Sequence, residues 1–140
     1  MKILLAVDGS AYTKRMLSYI AAHEELLGPG HDYTLFTVAL RVPAHAARFV
    51  DQDTRDGYYR DEIEKVFAPL RAFAAQQGWR IRTQTAVGHV ADEIAQAATA
   101  DKFDLIVMGT HGHTALVNVV LGSVPTAVLA RCSTPVLLIR

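Results

Sequence analysis

A single cysteine, Cys132, among 140 residues rules out an intrachain disulfide. Stability must therefore come from a packed core, and the cysteine usage fits a reducing cytosol. Charge of one sign is also missing. The 14 basic and 14 acidic residues cancel, which removes the electrostatic footprint of a nucleic-acid or anionic-membrane partner. No apolar run reaches the roughly 18 residues that a membrane-spanning helix needs. The N-terminal run Ile3-Leu4-Leu5-Ala6-Val7 is too short for a signal peptide and reads as a strand, so the expected compartment is cytoplasmic. Familiar phosphate motifs are absent as well. There is no Gly-x4-Gly-Lys-Ser/Thr, and no Gly-x-Gly-x-x-Gly follows the first strand. After the third predicted strand stands Val87-Gly88 where a phosphorelay receiver needs an aspartate. Thr110-His111-Gly112-His113 falls one residue short of the His-x-Gly-His of nucleotidylyl transferases and follows a late strand.

What remains is an ordinary globular composition, 51% hydrophobic and 20% charged, enough for one domain with a real core. Apolar runs and alternation predict strands over residues 3–7, 33–40, 79–87, 105–108 and 135–140. Helical spacing predicts helices over 11–27, capped by Ser10, then 57–77, 91–100, and one opening at Val124. Residues 41–55 lack a period and read as a long loop, a candidate moving part. Pro69 should bend the helix that contains it. The polar face of 79–87 points to a place near a sheet edge. Strand and helix alternate without linker or repeat. Such alternation gives a parallel sheet with helices on both faces, whose ligands sit beyond the C-terminal strand ends.

The chemistry concentrates between the fourth strand and the last helix. Gly109-Thr110-His111-Gly112 is followed, nine residues later, by Gly122-Ser123. Glycines admit close backbone approach, and a helix start leaves N–H donors unpaired, so this loop is a natural anion site. No aspartate or glutamate follows Asp104 to repel an anion there. Asp8, at the end of the first strand, can close its own turn or meet a ligand. Ser123 can cap the helix and donate to phosphate at once, and Gly88 needs nothing more than a turn. His111 and His113 lack a visible third partner for a metal. Cys132 reads as inert packing.

Together, Val7-Asp8-Gly9-Ser10, Thr37-Val38, Val87-Gly88, the stretch Leu105-Ile106-Val107-Met108-Gly109, the spacing Gly-x2-Gly-x9-Gly-Ser and the closing Thr134-Pro135-Val136-Leu137-Leu138-Ile139 resemble the nucleotide-binding branch of the universal stress protein family. The resemblance covers the whole chain. It implies one α/β domain, doubly wound, with a five-stranded, mostly parallel sheet of Rossmann-like, adenine nucleotide alpha hydrolase-like type. It implies ATP or another adenine nucleotide as ligand, with Mg2+ as a companion of ATP. Ala6, Val7 and Asp8 should border the adenosine, with Asp8 accepting from a ribose hydroxyl. Val38 should meet the adenine through its backbone, and Met108 and Gly109 should lie under the ribose and first phosphate. Gly112, Gly122, Ser123 and Val124 should give donors to the phosphates. It also implies a homodimer through the C-terminal strand.

Family members often carry Arg or Lys where this chain has His113 and Val117-Asn118, and a neutral imidazole is a poor substitute for a guanidinium on phosphate. The expected function is a nucleotide-binding regulatory or stress-response module. A slow ATPase or nucleotide-transfer enzyme would use the same pocket, but the glycine loop has no lysine and only Asp8 as a nearby carboxylate. A dimerisation module that has lost ATP is the third reading.

Overall fold

The computed structural model describes residues 1–113 and 120–140. Five strands, β1 (Lys2–Ala6), β2 (Asp32–Ala39), β3 (Arg80–Val87), β4 (Leu105–Gly109) and β5 (Val136–Ile139), form one sheet in the order β3-β2-β1-β4-β5. All four pairings are parallel. The continuous apolar runs of β1 and β4 suit strands covered on both faces. Ile3, Leu5 and Val7 feed one core cluster with Met16, Ile20, Phe67 and Leu70, while Leu4 joins Ile94, Ala98, Ile106 and Val128 in the other. Thus α1 (Ala11–Ala22) and α4 (Gln52–Gln76) cover one face, and α5 (Val90–Ala100) and α6 (Ser123–Arg131) cover the other. β3, with its polar face, lies at one edge and β5 at the opposite one.

The structure corrects the sequence reading in three places. The helix expected over 11–27 breaks at His23 (φ −125°, ψ 56°), leaving α1 and a short α2 (Glu24–Leu27). The His23 ring folds back along the helix, stacked 3.9 Å from Tyr19, and its Nδ1 donates to the Tyr19 carbonyl at 2.8 Å. The expected loop over 41–55 holds a helical turn, α3 (Ala44–Ala47), and the first residues of α4. α4 starts five residues before the expected position because Asp51 caps it, accepting from the Thr54 N–H at 2.7 Å and the Thr54 hydroxyl at 3.0 Å. At α6 the cap residue is Gly122, not Ser123, and no side chain caps the helix. Ser123 is its first residue.

One buried polar side chain ties the first core cluster together. Tyr33 is only 1% exposed, and its hydroxyl donates to the carbonyls of Leu27 and Gly28, the latter at 3.1 Å. Burial pushes its pKa up to about 12.

Candidate functional site

Strand order reverses at β1, since the chain moves to β2 on one side and returns to β4 on the other. Side chains cannot fill the crevice left beyond these strand ends, and α/β sheets bind ligands there. A cavity of about 880 Å3 opens at this point, within the roughly 300–1,000 Å3 of small-molecule sites. Ala6, Val7, Asp8, Val38, Met108, Gly109, Gly112, Gly122, Ser123 and Val124 all line it. Ten positions scattered over the sequence thus share one cleft.

Asp8 closes its own turn and lines the cleft. Its Oδ1 accepts from the Ser10 N–H at 2.9 Å, an Asx turn, and from the Thr13 hydroxyl at 2.9 Å. The Asp8 N–H in turn donates to Thr13 Oγ1 at 3.1 Å. Gly9, with φ +76°, supplies the left-handed residue that this turn needs. Oδ2 faces Gly112, where a Cβ would come within 2.6 Å of it. The carboxylate is therefore oriented by its own turn, with its second oxygen turned to the glycine loop.

Val38 offers its backbone for a structural reason. Pairing of β1 with β2 ends at Ala6↔Phe36, followed by the Val7 N–H to Phe36 carbonyl bond at 2.9 Å. Carbonyls alternate in direction along a strand, and that of Ala39 accepts from the Gly88 N–H on the β3 side at 3.1 Å. Val38 therefore points its N–H and C=O to the side of β1, beyond the last bonded residue of that strand. Among the described residues these two groups have no partner. They form a donor and an acceptor at the cleft wall.

The opposite end is built around the start of α6. The Gly122 N–H donates to the Thr110 carbonyl at 2.8 Å, which docks the helix start against the exit of β4. Pro125 in the first turn lacks an N–H, and no acidic residue lies there. The N–H groups of Ser123 and Val124 are left with the positive end of the helix dipole. His111 Nδ1 lies 3.0 Å from Thr110 Oγ1, and the His111 ring stands 5.1 Å from that of Tyr12. His113 Nε2 donates to the Asp8 carbonyl at 2.6 Å, joining the glycine loop to the end of β1. Val117 and Asn118 lie outside the described residues.

Sequence reasoning missed one wall. Residues 41–55 do not line the cavity; α4 does, through Tyr58, Tyr59, Glu62, Ile63 and Val66. The Tyr59 hydroxyl accepts from the Val42 N–H at 2.8 Å and so holds the segment after β2 against this helix. An aromatic pair in a stretch of charged residues was the available signal.

A doubly wound domain with a cleft at its switch point defines a small-molecule-binding fold, and comparison with known proteins narrows it further. The model of the universal stress protein family matches residues 1–140, and the chain belongs to that family. It is 33% identical over 145 aligned residues to a universal stress protein of Thermus aquaticus, covering 99% of this chain and 97% of that protein. It is 29% identical to one from Synechocystis over 99% of this chain, but spans only 42% of that relative. Among solved structures, protein MJ0577, a Methanocaldococcus jannaschii universal stress protein, superposes with a TM-score of 0.79 at 24% identity, covering 99% of this chain and 94% of that one. An Arabidopsis thaliana family member with AMP bound gives 0.69 at 18% identity, over 99% and 90% of the two chains. The Archaeoglobus fulgidus universal stress protein in complex with dAMP gives 0.67 at 22%, over 100% and 98%. The five-stranded doubly wound sheet is the fold they share with this chain. Among the described residues no helix is long and apolar enough to cross a membrane.

Proposed function

We propose that this protein is an adenine-nucleotide-binding regulatory module that works as a homodimer and not as an enzyme. The observation that carries this reading is the convergence of the Val38 backbone, Asp8 and the α6 start on one cleft. Adenine presents a donor and an acceptor on its edge, which matches the free N–H and C=O of Val38. The second oxygen of Asp8 is available to a ribose hydroxyl, and the N–H groups of Ser123 and Val124 suit a phosphate. The solved relatives with AMP and dAMP support the same ligand class. ATP, ADP and AMP share this adenosine and first-phosphate half.

Against turnover, Asp8 is a poor general base, because its Oδ1 already accepts two hydrogen bonds. Dimerisation is supported by β5. The carbonyls of Pro135 and Ile139 accept from the N–H groups of Ile106 in β4 and of Thr110 just after it, both at 2.9 Å, so the alternate residues Val136 and Leu138 direct N–H and C=O outward along the sheet edge. A second copy of the strand across a two-fold axis would satisfy them.

Mass spectrometry of the small molecules released from protein purified without added nucleotide tests the ligand, together with calorimetry. Adenine nucleotide should be found, or should bind with roughly micromolar affinity. A folded protein that neither carries nor binds one would leave only a dimerisation module.

A further inference from the structure

The cleft is unevenly charged, and this bears on how many phosphates it accepts. Its described lining contains the carboxylates of Asp8 and Glu62, the imidazoles of His111 and His113, and neither lysine nor arginine. Residues 114–119, between Gly112 and Gly122 in the sequence, read Thr-Ala-Leu-Val-Asn-Val and carry no ionisable side chain. Lys14, Arg41 and Arg60 adjoin lining residues in the sequence but do not themselves line the cleft. Lys65 pairs with Glu62 at 2.6 Å from a side chain that is 73% exposed. Arg131, at the far end of α6, pairs with Asp92 at 2.5 Å. Arg15 lies over the ring of Tyr12, 5.3 Å from its centroid. None of the three lines the cleft.

A helix start supplies about half an elementary charge and a few N–H donors, which suits one phosphate group. Every further phosphate adds negative charge and asks for a guanidinium or ammonium partner. Here the outer groups would find imidazole and backbone, with the carboxylates of Asp8 and Glu62 in the same cavity. The Nε2–H of His113 is already given to the Asp8 carbonyl.

Resting on the adenine-nucleotide reading of the cleft, we infer that the site selects adenosine carrying a single phosphate, and discriminates against the di- and triphosphate. Calorimetry on the full chain with adenosine, AMP, cyclic AMP, ADP, and ATP with and without Mg2+, at about pH 8 where histidine is neutral, tests this directly. AMP or cyclic AMP should bind at least about tenfold more tightly than either form of ATP, and more tightly than adenosine. Two variants that change charge at the rim, His113→Arg and Glu62→Gln, should raise affinity for ATP more than for AMP. ATP binding as tightly as AMP to the unmodified protein would overturn the selectivity and leave the adenine-nucleotide reading standing. Adenosine binding as tightly as AMP would overturn the single-phosphate subsite. A folded protein that binds none of these ligands would remove the nucleotide reading itself.

Discussion

Replacing Gly122 with alanine should damage the site through the protein and not through the ligand. A Cβ at this position would lie 2.9 Å from the Thr110 carbonyl oxygen, and 3.5 Å from the His111 Cα. The same carbonyl accepts the Gly122 N–H at 2.8 Å, so it cannot retreat without losing that bond. Thr110 is itself fixed, 6% exposed and bonded through its N–H to Ile139 at 2.9 Å. Relief must come from moving the start of α6 away from β4. Overpacking of this kind costs about 1–3 kcal/mol. At about 3 °C per kcal/mol for a chain of this size, Tm should fall by about 3–9 °C. The displaced Ser123 and Val124 N–H groups should weaken AMP binding by at least about tenfold. Ser123→Ala is the control. Ser123 is exposed and makes no cap bond, so the stability of this variant should change by no more than about 0.5 kcal/mol. Differential scanning calorimetry and titration calorimetry on the three proteins decide the matter. A Gly122→Ala protein that melts and binds like the unmodified chain would refute the docking role of this glycine.

Gly57 is the opposite case: it sits inside α4 with nothing beyond its own helix within 4 Å of where a Cβ would be, so Gly57→Ala should stabilise by about 0.5–1 kcal/mol in urea unfolding. Tyr33, with its pKa raised from 10.0 to about 12, favours the neutral hydroxyl in the folded state. Its contribution is intact below pH 10 and is lost as pH rises toward 12; urea midpoints of Tyr33→Phe should therefore fall less steeply across that window than those of the unmodified protein, and parallel curves would contradict this. Leu138→Pro removes an outward N–H from β5, whereas Leu138→Ala keeps it. Sedimentation should show the proline variant shifted toward monomer and the alanine variant still dimeric, and equal behaviour would argue against pairing through this strand. ATP hydrolysis, followed by phosphate release, should stay far below roughly 1 per second; ordinary enzymatic rates would require a catalytic role within the cleft.

The parallel sheet was legible because its causes are local. The unbroken runs at Ile3–Leu5 and Ile106–Met108 can only be covered on both faces, and alternation over 80–87 marks a half-exposed strand. The glycine spacing and Asp8 were legible for a similar reason: tight turns and helix starts constrain the residue types within them. Other features depended on partners far away in sequence. The Asp51 cap was written in the sequence but lay in a stretch without apolar period, where α3 and the first turns of α4 pack little; Phe67, Leu70 and Ala74, much further along, are the buried residues of that helix. That Tyr58, Tyr59 and Glu62 wall the cleft follows from how α4 crosses the sheet, and helical periodicity fixes a face without saying what that face meets. The helix cap at Gly122 instead of Ser123 was decided by the bond to Thr110. The sequence by itself determined the five strands, the longer helices between them, their order and the chemistry of the loop, since these rest on backbone preference and burial pattern. Only the tertiary structure decided which glycine contacts protein, which backbone groups of Val38 are left open and that the described lining of the cleft holds two carboxylates but no lysine or arginine, because each is a relation between segments that meet only after the sheet has formed.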